Sequence, residues 1–184
     1  MRVIAGTAGS LELKYPEDID IRPTTDRVRE ALFNSLMGDL PGSRFLDLYA
    51  GAGSVGIEAL SRGSKTAVFI DRHPDCIRTI QKNLDFTGLD DRALILRREL
   101  PVSLKEVWHK HGPFDIVFAD PPYAMDQRPL LEELADCMMD TPALLILECS
   151  MRNEPEPQIL SIVHRQEVGE TSLLWFQNTV GAIS

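Results

Sequence analysis

Cysteine is scarce in this chain of 184 residues: Cys76, Cys137 and Cys149 are odd in number and have no CxxC spacing. They read as free thiols of a reducing compartment, not as a disulfide framework. Long apolar runs are missing too. The longest, Ala143 to Leu147, falls far short of the roughly 20 residues that cross a bilayer. The opening MRVIAGTAGS holds no apolar stretch of the kind that heads a secretory signal. Basic side chains are in deficit, with 19 Lys and Arg against 28 Asp and Glu, a net charge of −9. That balance speaks against a protein that coats nucleic acid through phosphate contacts. There is no repeat, low-complexity tract or long linker. The expectation is a cytoplasmic, monomeric, non-membrane chain with one core.

The charge is unevenly spread. Residues 1–44 carry six basic and seven acidic side chains, so nearly all of the negative excess lies beyond them. Arg22, Arg27 and Arg29 cluster in this near-neutral quarter, which makes it the better candidate for touching an anionic polymer. The competing reading is a solvated helix face on which the arginines pair with Asp26 and Glu30.

The N-terminal stretch alternates (Val3, Ala5, then Leu11, Leu13, Tyr15) around Gly6 and Gly9 and predicts a short β-hairpin. TTDRVREALFNSLMG follows with Val28, Ala31, Leu32 and Leu36 at helical spacing, Thr24 or Thr25 as its cap and Gly38 as its stop. From Arg44 onward, RFLDL, TAVFI, ALIL, FDIVFA and ALLILE read as strands. The segments between them, SVGIEALSRG, the stretch after Pro74, residues 102–111 and LLEELADCMM, read as helices. Continuous apolar strands alternating with helices imply a parallel sheet covered on both faces. ILSIVHRQEV and TSLLWFQ, joined by Gly169-Glu170, predict an antiparallel hairpin at the end. The fold class is α/β, an open, doubly wound, Rossmann-like sheet.

Ligands of such sheets lie at the carboxyl ends of the strands. There the first strand runs into DLYAGAGSVG, where Gly51, Gly53 and Gly56 satisfy G-x-G-x-x-G between a strand and a helix. Asp71 ends the second strand 20 residues after Gly51, placed to bind two ribose hydroxyls. A dinucleotide and S-adenosylmethionine both suit this spacing. Asp47, just before the loop, separates them. A carboxylate facing a pyrophosphate costs several kcal/mol, on the order expected for poorly solvated like charges, whereas it helps a sulfonium and an ammonium.

The fourth strand ends in Asp120-Pro121-Pro122-Tyr123. An exocyclic amine on a nucleobase is a poor nucleophile because its lone pair is delocalised into the ring. Acceptors on both of its N–H groups, the Asp120 carboxylate and the Pro121 carbonyl, favour a pyramidal nitrogen with a localised pair. Adjacent prolines stiffen the turn that aims them, and Tyr123 offers a face for a base out of its stack. His109 and His111, two apart, fall on different faces of a helix, so no metal site is expected.

RVIAG, RPTTDRVREALFNSL, FLDLYAGAGSVGIEALSRG and FDIVFADPPY together resemble the bacterial 16S rRNA guanine-N2 methyltransferase family (RsmD-like). The resemblance implies an S-adenosylmethionine-dependent methyltransferase fold and, as acceptor, a guanine of small-subunit rRNA; the acidic charge adds the expectation that this rRNA is met within a partly assembled subunit. The resemblance implies donor contacts at Asp47, Tyr49, Gly51, Ala52, Gly53, Asp71, Arg72, Glu99 and Asp120. It implies catalytic roles for Asp120, Pro121, Pro122 and Tyr123, while the charge distribution makes Arg22, Arg27 and Arg29 the expected RNA contacts. Residues 1–43 would then form an RNA-facing extension and 44–184 the methyltransferase domain. The family's N-terminal segment usually carries several basic residues where this chain reads TAGSLELKY, with Lys14 alone. A DNA adenine or cytosine amino methyltransferase is the alternative within the same chemistry, and an NAD-dependent oxidoreductase the alternative outside it.

Overall fold

The computed structural model describes residues 1–16, 24–139, 141–156 and 159–178. The five apolar runs become β1 (Arg44–Leu48), β2 (Thr66–Asp71), β3 (Ala93–Arg97), β4 (Ile116–Ala119) and β5 (Leu144–Ser150). The tail becomes β6 (Leu160–Val168) and β7 (Thr171–Asn178). All seven form one sheet in the order β3-β2-β1-β4-β5-β7-β6. β1 to β5 run parallel, while β7 pairs antiparallel with both β5 and β6. The strand order reverses at β1, whose Leu48 lies beside Ile70 of β2 and Ala119 of β4. The crevice beyond these strand ends is where such a sheet receives a ligand.

Alternation of side chains along each strand builds two cores. Phe45, Phe69, Ile116 and Phe118 face the layer that holds α1 (Asp26–Ser35), α2 (Ser54–Ser61) and α3 (Pro74–Thr87). Leu46, Val68, Val117 and Ala119 face the layer of α4 (Leu104–His111) and α5 (Arg128–Cys137). In α1, Thr25 is the cap, its side chain accepting from the Val28 N–H at 3.3 Å. The face of α1 bearing Val28, Leu32 and Phe33 is fully withdrawn from water, and each such side chain contributes roughly 1.5–3 kcal/mol of burial.

The expected N-terminal hairpin is reduced to a single antiparallel bridge, Arg2 to Glu12. The reason lies in α2, which is buried along its whole length. Its Glu58 carboxylate accepts the Ile4 N–H at 2.6 Å and the Ala5 N–H at 3.0 Å. Ser61 donates to the Ala5 carbonyl at 2.6 Å and accepts the Ala8 N–H at 2.9 Å. Backbone groups that a ladder would need are thus taken by a helix more than 50 residues away. Asn83 of α3 clasps Lys14, accepting from its N–H at 2.8 Å and donating to its carbonyl at 3.0 Å. Residues on either side of the expected boundary at 43/44 share one core layer: Val3, Leu13 and Val28 pack with Phe45 and Ile57.

Candidate active site

A cavity of about 680 Å³ opens at the carboxyl ends of β1, β2 and β4. Asp47, Tyr49, Gly51, Ala52, Asp71, Arg72, Glu99, Asp120, Pro121, Pro122 and Tyr123 all line it. Sequence positions spread over more than 70 residues meet here because parallel strands in register end together.

Two carboxylates shape the glycine turn. The Gly51 N–H donates to Asp71 Oδ2 at 2.9 Å, and the His73 N–H to Asp71 Oδ1 at 2.8 Å. The Gly56 N–H donates to Asp47 Oδ2 at 2.8 Å. Gly53 stands behind the cavity as the left-handed cap of α2, with φ of 79°, a conformation that glycine adopts without a steric cost. Gly56 allows α2 to approach β2: a Cβ added there would meet the Phe69 ring at 2.3 Å. Tyr49 adopts φ of 59° without being glycine, a backbone strain of order 1–3 kcal/mol. Its hydroxyl donates to Met125 Sδ at 3.6 Å, joining the end of β1 to the loop after β4.

In that loop the Asp120 N–H donates to the Leu48 carbonyl at 3.4 Å, and the Met125 N–H to the Pro122 carbonyl at 2.8 Å. Pro121 is buried, Pro122 exposed and Tyr123 half-buried, its carbonyl accepting from Asn153 Nδ2 at 3.4 Å. The Asp120 carboxylate accepts from Thr24 Oγ1 at 3.4 Å.

The cavity is acidic. Asp47, Asp71, Glu99, Asp120 and Glu148 line it, against Arg72 and Arg98. Arg72 is already paired with Glu99 at 3.2 Å on the exposed rim. Asp47, only 1% exposed, is pushed up to about 7 by burial, opposed by the Gly56 N–H and reinforced by Asp120 and Asp71. Burial, with Asp71 beside it, pushes the Cys76 thiol up to about 12, so it lines the cavity as a neutral thiol. Such a wall suits a cationic ligand and repels a pyrophosphate.

The three arginines expected to meet RNA part company. Arg22 lies outside the described residues. Arg27 is exposed. Arg29 is fully buried, so the expectation of an RNA-facing Arg29 is corrected. Its Nη2 lies 2.6 Å from Asp26 Oδ1 and 2.7 Å from the Arg2 carbonyl, and its Nη1 is 3.8 Å from Glu58 Oε2. Helical spacing pairs it with Asp26, as the competing reading expects; its burial comes from the N-terminal segment and α2, which cover it with the Arg2 carbonyl and Glu58. Met1, Tyr15 and Thr24 also line the cavity. No periodicity points to them, because the N-terminal segment reaches the site only by docking on α2 and α3.

Residues 1–177 match the family model described as conserved hypothetical protein 95. Ribosomal RNA small subunit methyltransferase D of Escherichia coli strain K12 is 32% identical over 174 residues, covering 91% of this chain and 84% of that protein. The solved structure of a hypothetical protein from Thermus thermophilus superposes with a TM-score of 0.81 at 31% identity, covering 95% of this chain and 98% of that one. An RNA methyltransferase from Salinibacter ruber, solved with S-adenosyl-L-homocysteine, shares the fold at 13% identity, with a TM-score of 0.62 over 85% of this chain and 94% of that one. From its first residue through β7, the chain belongs to the conserved hypothetical protein 95 family, that of the RsmD-like methyltransferases.

Proposed function

We propose that this protein transfers a methyl group from S-adenosylmethionine to the exocyclic N2 amine of a guanine in small-subunit (16S) rRNA. The observation that carries this reading is the meeting of Asp47, Asp71 and Asp120 around one acidic cavity, beside a glycine turn and a stiff Asp-Pro-Pro-Tyr loop. The small-subunit rRNA acceptor is supported by the name of the relative from Escherichia coli, and the guanine N2 atom by the resemblance alone.

The donor supplies an electrophilic methyl carbon on a sulfonium, and the cavity's size and carboxylate lining fit such a cation. Asp71, oriented by two backbone N–H groups, holds the ribose hydroxyls with its remaining lone pairs. Gly51, Ala52 and Gly53 carry the turn around the methionine end, with Asp47 beneath it, while Tyr49, Arg72 and Glu99 complete the walls. Asp120 and the Pro121 carbonyl accept the two amine N–H groups and Tyr123 stacks on the base, with Pro122 stiffening the turn. S-adenosylmethionine, when bound, would supply the methyl carbon for the N–C bond and take the electrons of its C–S bond back onto sulfur. The surplus proton leaves the nitrogen for solvent after transfer. Catalysis rests on positioning and on exclusion of water.

Residues 1–43 form the RNA-facing part and 44–184 the methyltransferase domain. Arg27, exposed one helical turn from the cavity-lining Thr24, is the remaining described phosphate contact of the three. With so little basic surface, affinity comes from the shape and proteins of a partly assembled small subunit, which the protein meets as a monomer in the cytoplasm.

The test is Asp120→Ala. Affinity for S-adenosylhomocysteine should stay near wild type, while single-turnover methylation of 30S particles falls by about 100-fold or more. Nucleoside analysis should find N2-methylguanine in the wild-type product. A wild-type rate in Asp120→Ala, or a methyl group on another atom, overturns the reading.

A further inference from the structure

We propose that Thr24 is a positioning residue for Asp120, holding the plane of its carboxylate for the target amine. The proposal rests on the reading of Asp120 given above. Thr24 is 8% exposed, lines the cavity, and donates from Oγ1 to Asp120 Oδ2 at 3.4 Å across 96 residues of sequence. Through this side chain the N-terminal segment reaches the Asp-Pro-Pro-Tyr loop.

What makes this contact more than a chance approach is how the hydroxyl is delivered. The segment Thr24-Thr25-Asp26-Arg27-Val28-Arg29 divides its work residue by residue. Thr25 caps α1 by accepting the Val28 N–H, which sets the chain direction at Thr24. Asp26 meets Arg29 one turn on. Arg29 carries its charge into the interior, onto the Arg2 carbonyl and towards Glu58. Glu58, itself fully buried, is held by Arg62 at 2.6 Å and by the Ile4 and Ala5 N–H groups. A buried, charge-assisted network therefore ties the start of α1 to α2, the helix that opens after the glycine turn. A side chain held through such a network keeps one geometry, since moving Arg29 would take a buried guanidinium away from Asp26 and the Arg2 carbonyl. Thr24 inherits that rigidity.

The reaction is served by a fixed carboxylate plane, to which this bond contributes. A carboxylate on the short Asp stem rotates about its terminal bond over a broad range. An amine N–H is accepted well only near the carboxylate plane, along a lone-pair direction. A hydroxyl bonded to one oxygen selects that plane, as the two prolines beside Asp120 select the backbone. This gives the start of α1 a part in the reaction beyond its cap and its salt bridge.

The experiment compares Thr24→Val and Thr24→Ser, each alone and in an Asp120→Ala background, as full-length protein on 30S particles. Single-turnover rate at saturating donor and particle, S-adenosylhomocysteine affinity and thermal midpoint are measured together. Thr24→Val should lower the rate about 10- to 100-fold with unchanged donor affinity and midpoint. Thr24→Ser, which keeps the hydroxyl, should recover most of the rate. In the Asp120→Ala background, Thr24→Val should remove nothing further, because the group it positions is gone. If Thr24→Val lowers the midpoint, Thr24→Ala takes its place with the same two outcomes. A wild-type rate without the hydroxyl, failure of Thr24→Ser to recover, or an undiminished loss in the Asp120→Ala background overturns the assignment. A wild-type rate in Asp120→Ala itself overturns the reading of Asp120 and the role of Thr24 with it, whereas an impaired Asp120→Ala beside a normal Thr24→Val removes Thr24 alone.

Discussion

Asp71 on β2 and Gly51 in the turn after β1 are joined by a 2.9 Å hydrogen bond from the glycine N–H to Oδ2, so one carboxylate both shapes the turn and faces the cavity. Asp71 lies 20 positions after Gly51, beyond α2 and at the end of β2, and the parallel pairing of β1 with β2 returns the chain to this point.

Replacing Asp71 therefore has two costs in one place. Asp71→Ala removes the ribose acceptor and also releases the Gly51 and His73 N–H groups. Loss of charge-assisted hydrogen bonds of this kind costs roughly 1.5–3 kcal/mol, or about 10- to 150-fold in affinity. Titration calorimetry with S-adenosylhomocysteine should show that weakening. Unchanged affinity would remove Asp71 from the donor site.

Asp47 makes stability depend on pH in a direction opposite to a salt-bridged carboxylate. Burial holds its folded value at about 7, above the ordinary 3.8, so the native state binds its proton more tightly than the unfolded chain does. The resulting stability is complete below the unfolded value and is lost as pH rises through about 7. Relative to Asp47→Asn, wild type should lose stability between about pH 4 and pH 7, by up to a few kcal/mol, and then level off. A cationic donor beside Asp47 favours its ionised form, so binding near pH 6.5 should release protons. Urea unfolding of both proteins across that range, and calorimetry in two buffers of different ionisation heat, check the two statements. A pH-independent difference from Asp47→Asn would contradict the first, and buffer-independent heats the second.

Arg27 and Arg29 are two residues apart and should behave as different kinds of residue. Arg29→Gln takes a fully buried guanidinium away from Asp26 and the Arg2 carbonyl, a loss of roughly 1.5–3 kcal/mol. Arg27→Gln, at an exposed position, should change stability by no more than about 0.5 kcal/mol and should act instead on methylation of 30S particles by raising KM. Chemical denaturation separates the first from the second. Equal stability of the two variants would refute the buried assignment of Arg29.

Gly56→Ala tests the close approach of α2 to β2. Its Cβ would lie 2.3 Å from a Phe69 ring that has no exposure. Overpacking of this kind costs about 1–3 kcal/mol or more, and the displaced helix should also weaken donor binding through the glycine turn. Phe69→Leu should relieve part of the defect in the double variant. Simple additivity of the two substitutions would show that the ring is not the obstacle.

The sheet was legible in the sequence because β1, β2, β4 and β5 are buried on both faces and so read as apolar runs, and β3, though a partly exposed edge strand, keeps the apolar run ALIL. The terminal hairpin was legible because Gly169-Glu170 interrupts two alternating stretches. The acid, glycine turn, acid and Asp-Pro-Pro-Tyr series was legible because parallel strands place their carboxyl ends together, whatever lies between them. Choosing Thr25 over Thr24 as the cap was beyond local pattern, since both carry a hydroxyl at the right place and only Asp120, 96 residues on, engages one of them. The N-terminal alternation promised a ladder, but Glu58 takes the Ile4 and Ala5 donors that a ladder would use. Arg29 carries the signature of a surface charge, and its pairing with Asp26 is local, but its burial beneath the Arg2 carbonyl and beside Glu58 is not. Local sequence determined what each segment can form, because helix and strand periods and turn chemistry act over a few residues. Tertiary structure alone decided which polar groups meet in the interior, because a buried charge or backbone donor is satisfied by whichever partner the packing brings, at any distance along the chain.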